Sequence, residues 1–454
     1  MPLPARLLGL FAFGAVLGSA INLAICRLRY QPTTISPWSR RDGRTPPRQW
    51  ADRWPLIGWI YLRRETAIHG HGFWIRPMLI ELAMGIGLAW LYVWEVADHR
   101  LITGQLANIL SADQIAALVL PTTDAHWQFL SHVLLIALMA VASFIDFDEK
   151  IIPDEVTVPG TIVGLVMAAV LPWSLLPHVG GWIVPPFFSN ALQFAPGAAV
   201  PAAANGVYIQ FLTLASPLDW PASLAGAPAL TGLVLGLGCY WFWCFAILPR
   251  RRRVWYARHG IRQACRLLAA QVRYSFRATY IRALIPLGTL ATIITWRLGG
   301  VHWAGLLTAL MGLAGGGAMV WAIRVIGSVT LRKEAMGFGD VTLMMMVGTF
   351  VGWQAGVVIF FVAPFAALVI GILQLVLHRD DVIPYGPFLC LGTLAVVVDW
   401  PVFWSPGLQA LFSVGWLMPV VLLASFALLG IMLTIWRQIK RVLFGRHDVQ
   451  DEEK

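Results

Sequence analysis

The sequence has few charged residues and no paired cysteines. Only 12% of its 454 residues are charged, whereas 58% are hydrophobic, and soluble globular domains carry about 25% charged residues. Such a deficit argues against a soluble protein and indicates a fold built in a lipid bilayer. The five cysteines include no CxxC pair, so they are interpreted as small apolar residues rather than as metal ligands.

Lysine and arginine are absent from Pro177 to Leu230 and are concentrated elsewhere. They cluster after the first apolar stretch, again from Arg250 to Arg277, and in the C-terminal tail. Basic residues accumulate on the cytoplasmic side of a membrane. The Pro177–Leu230 stretch is therefore predicted to face outward, and the basic loops and the C-terminus are predicted to face inward. Counting from these anchors places the N-terminus outside.

The hydropathy pattern predicts an all-α fold, a polytopic integral membrane helical bundle. A helix that crosses the hydrocarbon core needs about 20 apolar residues. The candidate spans lie at 5–26, 77–97, 128–146, 157–176, 226–248, 283–297, 303–328, 341–352, 355–377, 387–403 and 411–436. The short stretches 283–297 and 341–352 are expected to be tilted, partly buried or re-entrant. The first stretch has no small-residue cleavage site before a soluble domain and is expected to stay as a membrane helix.

The net charge of +10 is explained by membrane topology and by attraction to anionic lipid. No recognisable nucleic-acid-binding module accompanies Arg250–Arg253, so no nucleic-acid partner is expected. Apolar and basic residues alternate at helical spacing within Arg250–Arg282. This segment is interpreted either as an amphipathic arm on anionic lipid or as a plain topology anchor, and the sequence does not distinguish the two.

Two aspartates lie where an apolar helix meets the membrane surface. Asp146 follows an almost unbroken apolar helix, and Asp340 begins one behind Gly337 and Gly339. Ionisable residues at membrane depth are costly and are usually functional. Two neighbouring carboxyl groups do not both ionise easily, so one can accept a proton from water while the other polarises a peptide carbonyl. The topology puts both on the inner side, which predicts an aspartic peptidase that needs no metal.

Each aspartate alone has a simpler interpretation as a residue at a helix end. Asp340 could cap the helix that begins at Val341, and Asp146 with Asp148 could mark the solvated end of the preceding helix. The presence of both on the same predicted membrane face favours the catalytic interpretation.

Three motifs in order resemble those of prepilin peptidases, the type IV prepilin leader peptidase and N-methyltransferase family of GxGD intramembrane aspartic proteases. IDFDEKIIPDEVTVPG resembles the family's first active-site motif, EAMGFGDVTLM its GxGD motif, and DVIPYGPFLCLG the Pro-Phe-Gly-Pro segment that follows. The resemblance implies that Asp146 and Asp340 are the catalytic pair. The positions that match supporting positions of the family are Asp154, Gly337, Gly339, Pro384, Gly386 and Pro387.

The N-terminal region resembles the domain that this family links to methylation of the new pilin N-terminus. The resemblance rests on the GSAIN helix, on the run from Asp52 to Trp59 and on the run from Pro77 to Leu82. It implies S-adenosylmethionine as a methyl donor, with Glu81 and Asp52 as candidate methyltransferase residues. The alternative for Glu81 is a polar contact between helices.

The chain departs from the family in two respects. Many members carry two CxxC pairs in the first cytoplasmic loop, which resemble a zinc site. The matching region here has no cysteine, and His69 and His71 alone make a poor metal site, so no metal is expected. The second departure is length, because an insertion near 177–300 separates the two aspartates by more chain than is usual.

The sequence therefore predicts an aspartic endopeptidase of the bacterial cytoplasmic (inner) membrane. By resemblance, it cleaves prepilin or pseudopilin precursors after a glycine, just before their apolar helix, near the cytoplasmic face. Residues 1–100 are expected to form the N-terminal domain, 128–403 the peptidase domain with its insertion, and 404–454 a last span and tail. The alternatives are an ion-coupled transporter with acidic residues at a broken helix and an inactive family member that serves as an assembly scaffold.

Overall fold

The structure is a computed structural model of the chain. It describes residues 2–39, 43, 45–181, 190–196, 200–204, 206–217, 229–248, 279–331, 336–376, 384–415 and 417–444.

Helices make up most of this part of the chain. They are α1 (Leu3–Leu28), α2 (Ile57–Tyr61), α3 (Thr66–His69), α4 (Ile75–Tyr92), α5 (Arg100–Leu106), α6 (Ala112–Ala116), α7 (Thr122–Glu149), α8 (Asp154–Val170), α9 (Leu230–Ala246), α10 (Thr279–Leu298), α11 (Gly300–Leu331), α12 (Phe338–Val376), α13 (Gly386–Val398), α14 (Trp400–Phe403), α15 (Pro406–Phe412) and α16 (Leu417–Phe444). A π-helical segment, Val93–Ala97, extends α4, and short 3₁₀ turns lie at Trp50–Arg53, Leu62–Glu65, Pro172–Ser174 and Ala202–Ala204.

Among the described residues, six helices are long and apolar enough to cross a bilayer. They are α1, α4 with its π-helical extension, α7, α11, α12 and α16, while α9 and α13 are shorter apolar helices. Large apolar side chains cover their outer surfaces, as at Leu423, which is 68% exposed, and Val369, which is 66% exposed. Side chains of this kind suit contact with lipid tails. The predicted all-α multi-pass membrane fold is confirmed.

Two of the predicted spans belong to one helical element. The stretches 341–352 and 355–377 are the two halves of α12, which Gly352 interrupts with φ 80° and ψ 175°. Glycine adopts a positive φ without steric cost, so the chain can change direction there. Just beyond this point, Gln354 Nε2 donates to the Thr213 carbonyl at 2.7 Å. This hydrogen bond holds the interruption against the segment around Thr213.

A small antiparallel sheet occupies part of the stretch predicted to be an outer loop. Its strands are β1 (Pro177–Gly181), β2 (Asn190–Ala191) and β3 (Val207–Phe211), in the order β1-β3-β2, with Pro177 opposite Phe211. The loop prediction is corrected in this respect. All five residues of β3 are buried, so the strand lacks the apolar–polar alternation by which a half-buried strand is recognised.

The inserted region is described only in part. Most of the predicted basic arm, Arg250–Arg282, lies outside the described residues. The extra span that was predicted at 283–297 falls within α10, a 20-residue helix, Thr279–Leu298, with Pro286 inside it. This helix is not among the six described helices that are long and apolar enough to cross a bilayer.

Small residues allow the main helices to approach closely. On α11, Gly312 faces the backbone of α12 at Gly348, with no room for a Cβ atom on either glycine. On α1, a Cβ atom at Gly18 would lie 2.6 Å from the Cα atom of Glu81 on α4. Such contacts replace the hydrophobic effect as the main source of helix association in lipid.

Candidate active site

Asp146 lies in the last turn of α7. The helix ends at Glu149, where Lys150 adopts a left-handed conformation and its N–H donates to the Asp146 carbonyl at 2.8 Å. Asp146 is only 4% exposed, and its carboxyl lies against the backbone of Gly386. A buried carboxyl at membrane depth is costly and usually serves a function.

Asp340 is the third residue of α12 and is 6% exposed. Of the two glycines before it, Gly339 packs most closely. A Cβ atom at Gly339 would lie 2.9 Å from the Cβ atom of Ile152, and one at Gly337 would lie 3.6 Å from Asp340 Oδ2. The Gly-Phe-Gly-Asp segment therefore lies directly against the Ile152-Pro153 turn that follows α7.

The third motif completes the same cluster. Gly386 begins α13, and it lies against the Asp146 carboxyl and near the Ile152 side chain. A Cβ atom at position 386 would meet Asp146 Oδ2 and would lie 2.9 Å from Ile152 Cδ1. Asp146 and Asp340 are close enough to interact electrostatically. The three motifs, far apart in the sequence, thus meet at one end of the bundle.

Tyr385, which the sequence reasoning did not single out, lies beside this cluster. Burial, with a smaller contribution from the charge of Asp340, raises the pKa of Tyr385 to about 12. The phenol therefore stays protonated at neutral pH and remains a hydrogen-bond donor. Its position directly before Gly386 in the third motif was the signal that could have identified it.

The other supporting residues differ in their surroundings. Pro384 and Pro387 are partly buried on either side of Gly386, whereas Asp154, the first residue of α8, is exposed. Asp148 is paired with two arginines, Arg29 and Arg76. Asp146 and Asp340 are thus the acidic residues of the three motifs that are buried together.

Glu81 is a buried hydrogen-bond acceptor between the N-terminal helices. Its Oε1 atom accepts from Ser19 Oγ at 2.6 Å and from Trp59 Nε1 at 2.9 Å, and its Oε2 atom accepts from the Leu56 N–H at 2.6 Å. Asn22 adds a longer contact of 3.4 Å. These contacts agree with the interhelical polar contact that the sequence left open as the alternative for this residue.

The first loop, which lacks the family's cysteines, is held by buried ion pairs. Arg48 Nη2 lies 3.2 Å from Glu65 Oε2, and His69 Nε2 lies 3.3 Å from the same oxygen. Asp52, 1% exposed, pairs with Arg64 and accepts the Gln49 N–H at 2.6 Å. Sequence reasoning missed Arg48 and Glu65, because a buried pair in a basic loop has no local pattern.

Histidine, cysteine and carboxylate side chains do not gather into a potential metal site within the described part of the chain. His69 is paired with Glu65, and His71 is exposed. These residues do not fit the zinc site that the family's cysteine pairs resemble.

The fold and the site define a class, a multi-pass helical membrane protein with two buried aspartates brought together at helix ends. The sequence profile of the type IV leader peptidase family matches residues 275–372. This match contains Asp340 but not Asp146, which lies upstream of it.

Several bacterial proteins named prepilin leader peptidase/N-methyltransferase are similar to this chain. One from Aeromonas salmonicida (strain A449) is 29% identical over 87 residues, which cover 18% of this chain and 30% of the relative. One from Legionella pneumophila is 28% identical over 120 residues, 23% of this chain and 40% of the relative. One from Myxococcus xanthus (strain DK1622) is 25% identical over 166 residues, 35% of this chain and 39% of the relative.

The chain thus matches between 30% and 40% of the length of these relatives. No solved structure matches it significantly. The profile match and the relatives confirm the resemblance to prepilin peptidases, and the chain is a multi-pass protein of the bacterial inner membrane.

Proposed function

We propose that this protein is an aspartic endopeptidase that removes the leader of type IV prepilin-like or pseudopilin precursors at the cytoplasmic face of the inner membrane. The observation that carries the proposal is the burial of both Asp146 and Asp340, within electrostatic reach of each other, at the end of the bundle where the three motifs meet. The names of the relatives, prepilin leader peptidase, indicate the substrate class.

The proposed chemistry requires only water and the two carboxyl groups. One carboxylate accepts a proton from the attacking water as its oxygen bonds to the scissile carbonyl carbon, while the other carboxylic acid donates a hydrogen bond to the carbonyl oxygen. A proton then passes to the leaving amine, and the C–N bond breaks. The proton is shared by the pair and is not assigned to either residue.

The supporting residues have packing roles in this proposal. Gly339 and Gly386 let two chain segments approach Ile152 and the Asp146 carboxyl more closely than a side chain would permit, and a Cβ atom at Gly337 would lie at ordinary contact distance from Asp340 Oδ2. Pro384 and Pro387 restrict the backbone on either side of Gly386. Asp154 begins α8, where an acidic side chain is favoured by the helix dipole.

The domains are proposed as predicted from the sequence. Residues 1–100 contain the closely packed pair α1 and α4, 128–403 contain both aspartates and the insertion, and 404–454 contain α16. Such a division places the peptidase chemistry in the second unit and leaves the first unit for a separate activity.

That separate activity is proposed to be N-methylation of the cleaved product with S-adenosylmethionine. The proposal is supported by the name N-methyltransferase that the relatives carry. Glu81 and Asp52 are the candidate residues. Both are buried and already accept hydrogen bonds, so the proposed role is to shape the loop that would receive the donor and the pilin amine.

The test of the peptidase is processing of a co-expressed prepilin, followed as a shift in gel mobility. Asp146→Asn and Asp340→Asn should each abolish cleavage while the protein still inserts, since asparagine is nearly isosteric but cannot act as a base. Asp113→Asn, at an exposed position of α6, is the matched control and should process normally. Full cleavage by either of the first two variants would refute the catalytic pair.

A further inference from the structure

An arginine from the neighbouring helix α4 holds the turn of α7 that carries Asp146. Arg76 Nη1 lies 2.7 Å from Asp148 Oδ1, and Arg76 Nη2 donates to the Phe144 carbonyl at 3.3 Å. The guanidinium carbon also lies 4.8 Å from the centre of the Phe144 ring. Arg76 thus contacts the residues two positions before and two positions after Asp146.

A second arginine holds the segment that carries Asp340. Arg324, on α11, donates from Nε to the Met336 carbonyl at 2.9 Å. Its guanidinium carbon lies 5.5 Å from the centre of the Phe338 ring. Arg324 is also near enough to Asp340 to interact with it electrostatically.

The same set of contacts occurs beside both aspartates. In each, a phenylalanine stands two residues before the aspartate, as Phe144 before Asp146 and Phe338 before Asp340. An arginine from another helix lies over that ring and donates to a backbone carbonyl of the same segment. We propose that Arg76 and Arg324 are paired positioning residues that fix the two aspartates relative to each other, an inference that rests on the proposed peptidase function.

The chemistry of arginine explains why both positions would use it. A planar guanidinium can lie over an aromatic face and donate in its own plane at the same time, whereas the ammonium of lysine is a point charge without this geometry. Each arginine donates to a backbone carbonyl of the segment that carries the aspartate, that of Phe144 near the end of α7 or that of Met336 just before α12. Each also restricts the phenylalanine, which sets the direction of the chain into the aspartate.

The helix origins of the two arginines give the proposal a consequence for domain coupling. Arg76 belongs to the N-terminal unit, and Arg29, at the end of α1, also pairs with Asp148. The Tyr30 N–H donates to Glu149 at 2.7 Å. The N-terminal unit therefore contacts the end of α7 through Arg76, Arg29 and Tyr30. The geometry of the peptidase site then depends on these contacts.

The test is steady-state cleavage of a prepilin substrate by the full-length protein in detergent, with Arg76→Gln and Arg324→Gln. Misplacement of a catalytic group by about 1 Å can cost about 100-fold in rate. We expect kcat to fall by about 10- to 100-fold in each variant, with KM changed less than about threefold. Arg76→Lys and Arg324→Lys should recover only part of the loss, since lysine keeps the charge but not the planar contact.

Matched controls are available on two other arginines that lie over aromatic rings. Arg63 lies 3.9 Å from the centre of Trp74, and Arg297 lies 5.5 Å from that of Trp296. Arg63→Gln and Arg297→Gln should leave kcat unchanged. The same preparations are checked for Tm, and a variant with a lowered Tm is assayed well below its unfolding range.

Two outcomes would overturn the proposal. One is normal kcat in both glutamine variants. The other is full rescue by lysine, which would show that only a positive charge is needed at these positions. If a glutamine variant does not fold, Phe144→Leu or Phe338→Leu removes the ring contact and must lower kcat at constant KM. Failure of the peptidase proposal itself would be seen separately, as cleavage by Asp146→Asn.

Discussion

The Nδ1 atom of His132 lies 2.7 Å from the Oε1 atom of Glu95, and both side chains are completely buried. Glu95 belongs to the π-helical extension of α4, and His132 lies on α7. Polar pairs at membrane depth rarely occur without a structural or functional role. This pair ties the N-terminal unit to the helix that carries Asp146, far along that helix from the contacts of Arg76.

The pair should contribute measurably to stability. We expect Glu95→Ala and His132→Ala each to lower the free energy of unfolding by about 1–2 kcal/mol, the range for strong hydrogen bonds between membrane helices. The double variant should lose less than the sum, since the second substitution removes a partner that is already unpaired. Thermal unfolding in detergent provides the measurement. Strict additivity would show that the two side chains do not act on each other.

Tyr385 provides a prediction about whether a phenol hydroxyl takes part in catalysis. The family's third motif reads Pro-Phe-Gly-Pro, whereas this chain has tyrosine at the second position. The proposed chemistry requires no phenol, so Tyr385→Phe should keep kcat within about threefold of the unchanged protein, while Tyr385→Ala should lose more through the missing aromatic packing. A loss as large as that of Asp340→Asn would instead give the hydroxyl a direct role.

His178 predicts how stability depends on pH. This residue of β1 is fully buried and accepts from Trp404 Nε1 at 2.8 Å, and burial lowers its pKa from 6.5 to about 3. The folded protein therefore keeps His178 neutral, while the unfolded chain takes up a proton below about pH 6.5. Its contribution to stability is complete above that pH and is lost progressively as the pH falls toward 3.

The measurement is the slope of Tm against pH between neutral and mildly acidic conditions. His178→Asn retains an acceptor for Trp404 but does not titrate, so its Tm should fall less steeply with acidification. Its absolute Tm can be lower because the amide is smaller than the imidazole. Parallel slopes for both proteins would mean that His178 does not take part in acid destabilisation.

The first loop gives a prediction about metal. The expectation of no zinc stays a prediction, and the ion pair of Glu65 with Arg48, together with the nearby His69 ring, supplies a different means of holding the loop. A chelator should leave cleavage unchanged, and elemental analysis should find no stoichiometric zinc. Glu65→Gln should lower Tm, because it weakens a fully buried ion pair. Stoichiometric zinc would make His69, His71 and Glu65 the first ligand candidates.

Sequence reasoning predicted the bundle and the meeting of the motifs because both follow from strong local signals. Long apolar runs predict the helices, and the three motifs mark the segments that meet. The orientation that the asymmetry of basic residues indicates stays a prediction. The β3 strand was missed because all its residues are buried and show no alternation. Arg76, Arg324 and the Glu95–His132 pair were missed because their partners lie on other helices, at sequence separations that no local pattern records.

The last prediction concerns methylation, the activity proposed for the N-terminal unit. The Glu81 carboxylate accepts from Ser19 on α1, from the Leu56 N–H and from Trp59 on α2, so it joins both helices to the loop between them. We expect a processed pilin to gain one methyl group when S-adenosylmethionine is supplied, as seen by mass spectrometry of its N-terminus. Glu81→Ala should abolish that gain, because it leaves those buried donors without an acceptor and releases the loop.

Glu81→Gln distinguishes shape from charge at this site. The amide oxygen can still accept from some of these donors, whereas the NH₂ group is itself a donor and cannot accept from the others. Methylation should therefore fall less than in Glu81→Ala. Cleavage should continue in both variants, since within the described part of the chain the hydrogen bonds of Glu81 involve neither aspartate and both variants retain Arg76. Cleaved but unmethylated pilin from the unchanged protein, with the methyl donor in excess, would rule out the transferase activity. Loss of cleavage together with methylation would instead show that Glu81 supports the whole fold.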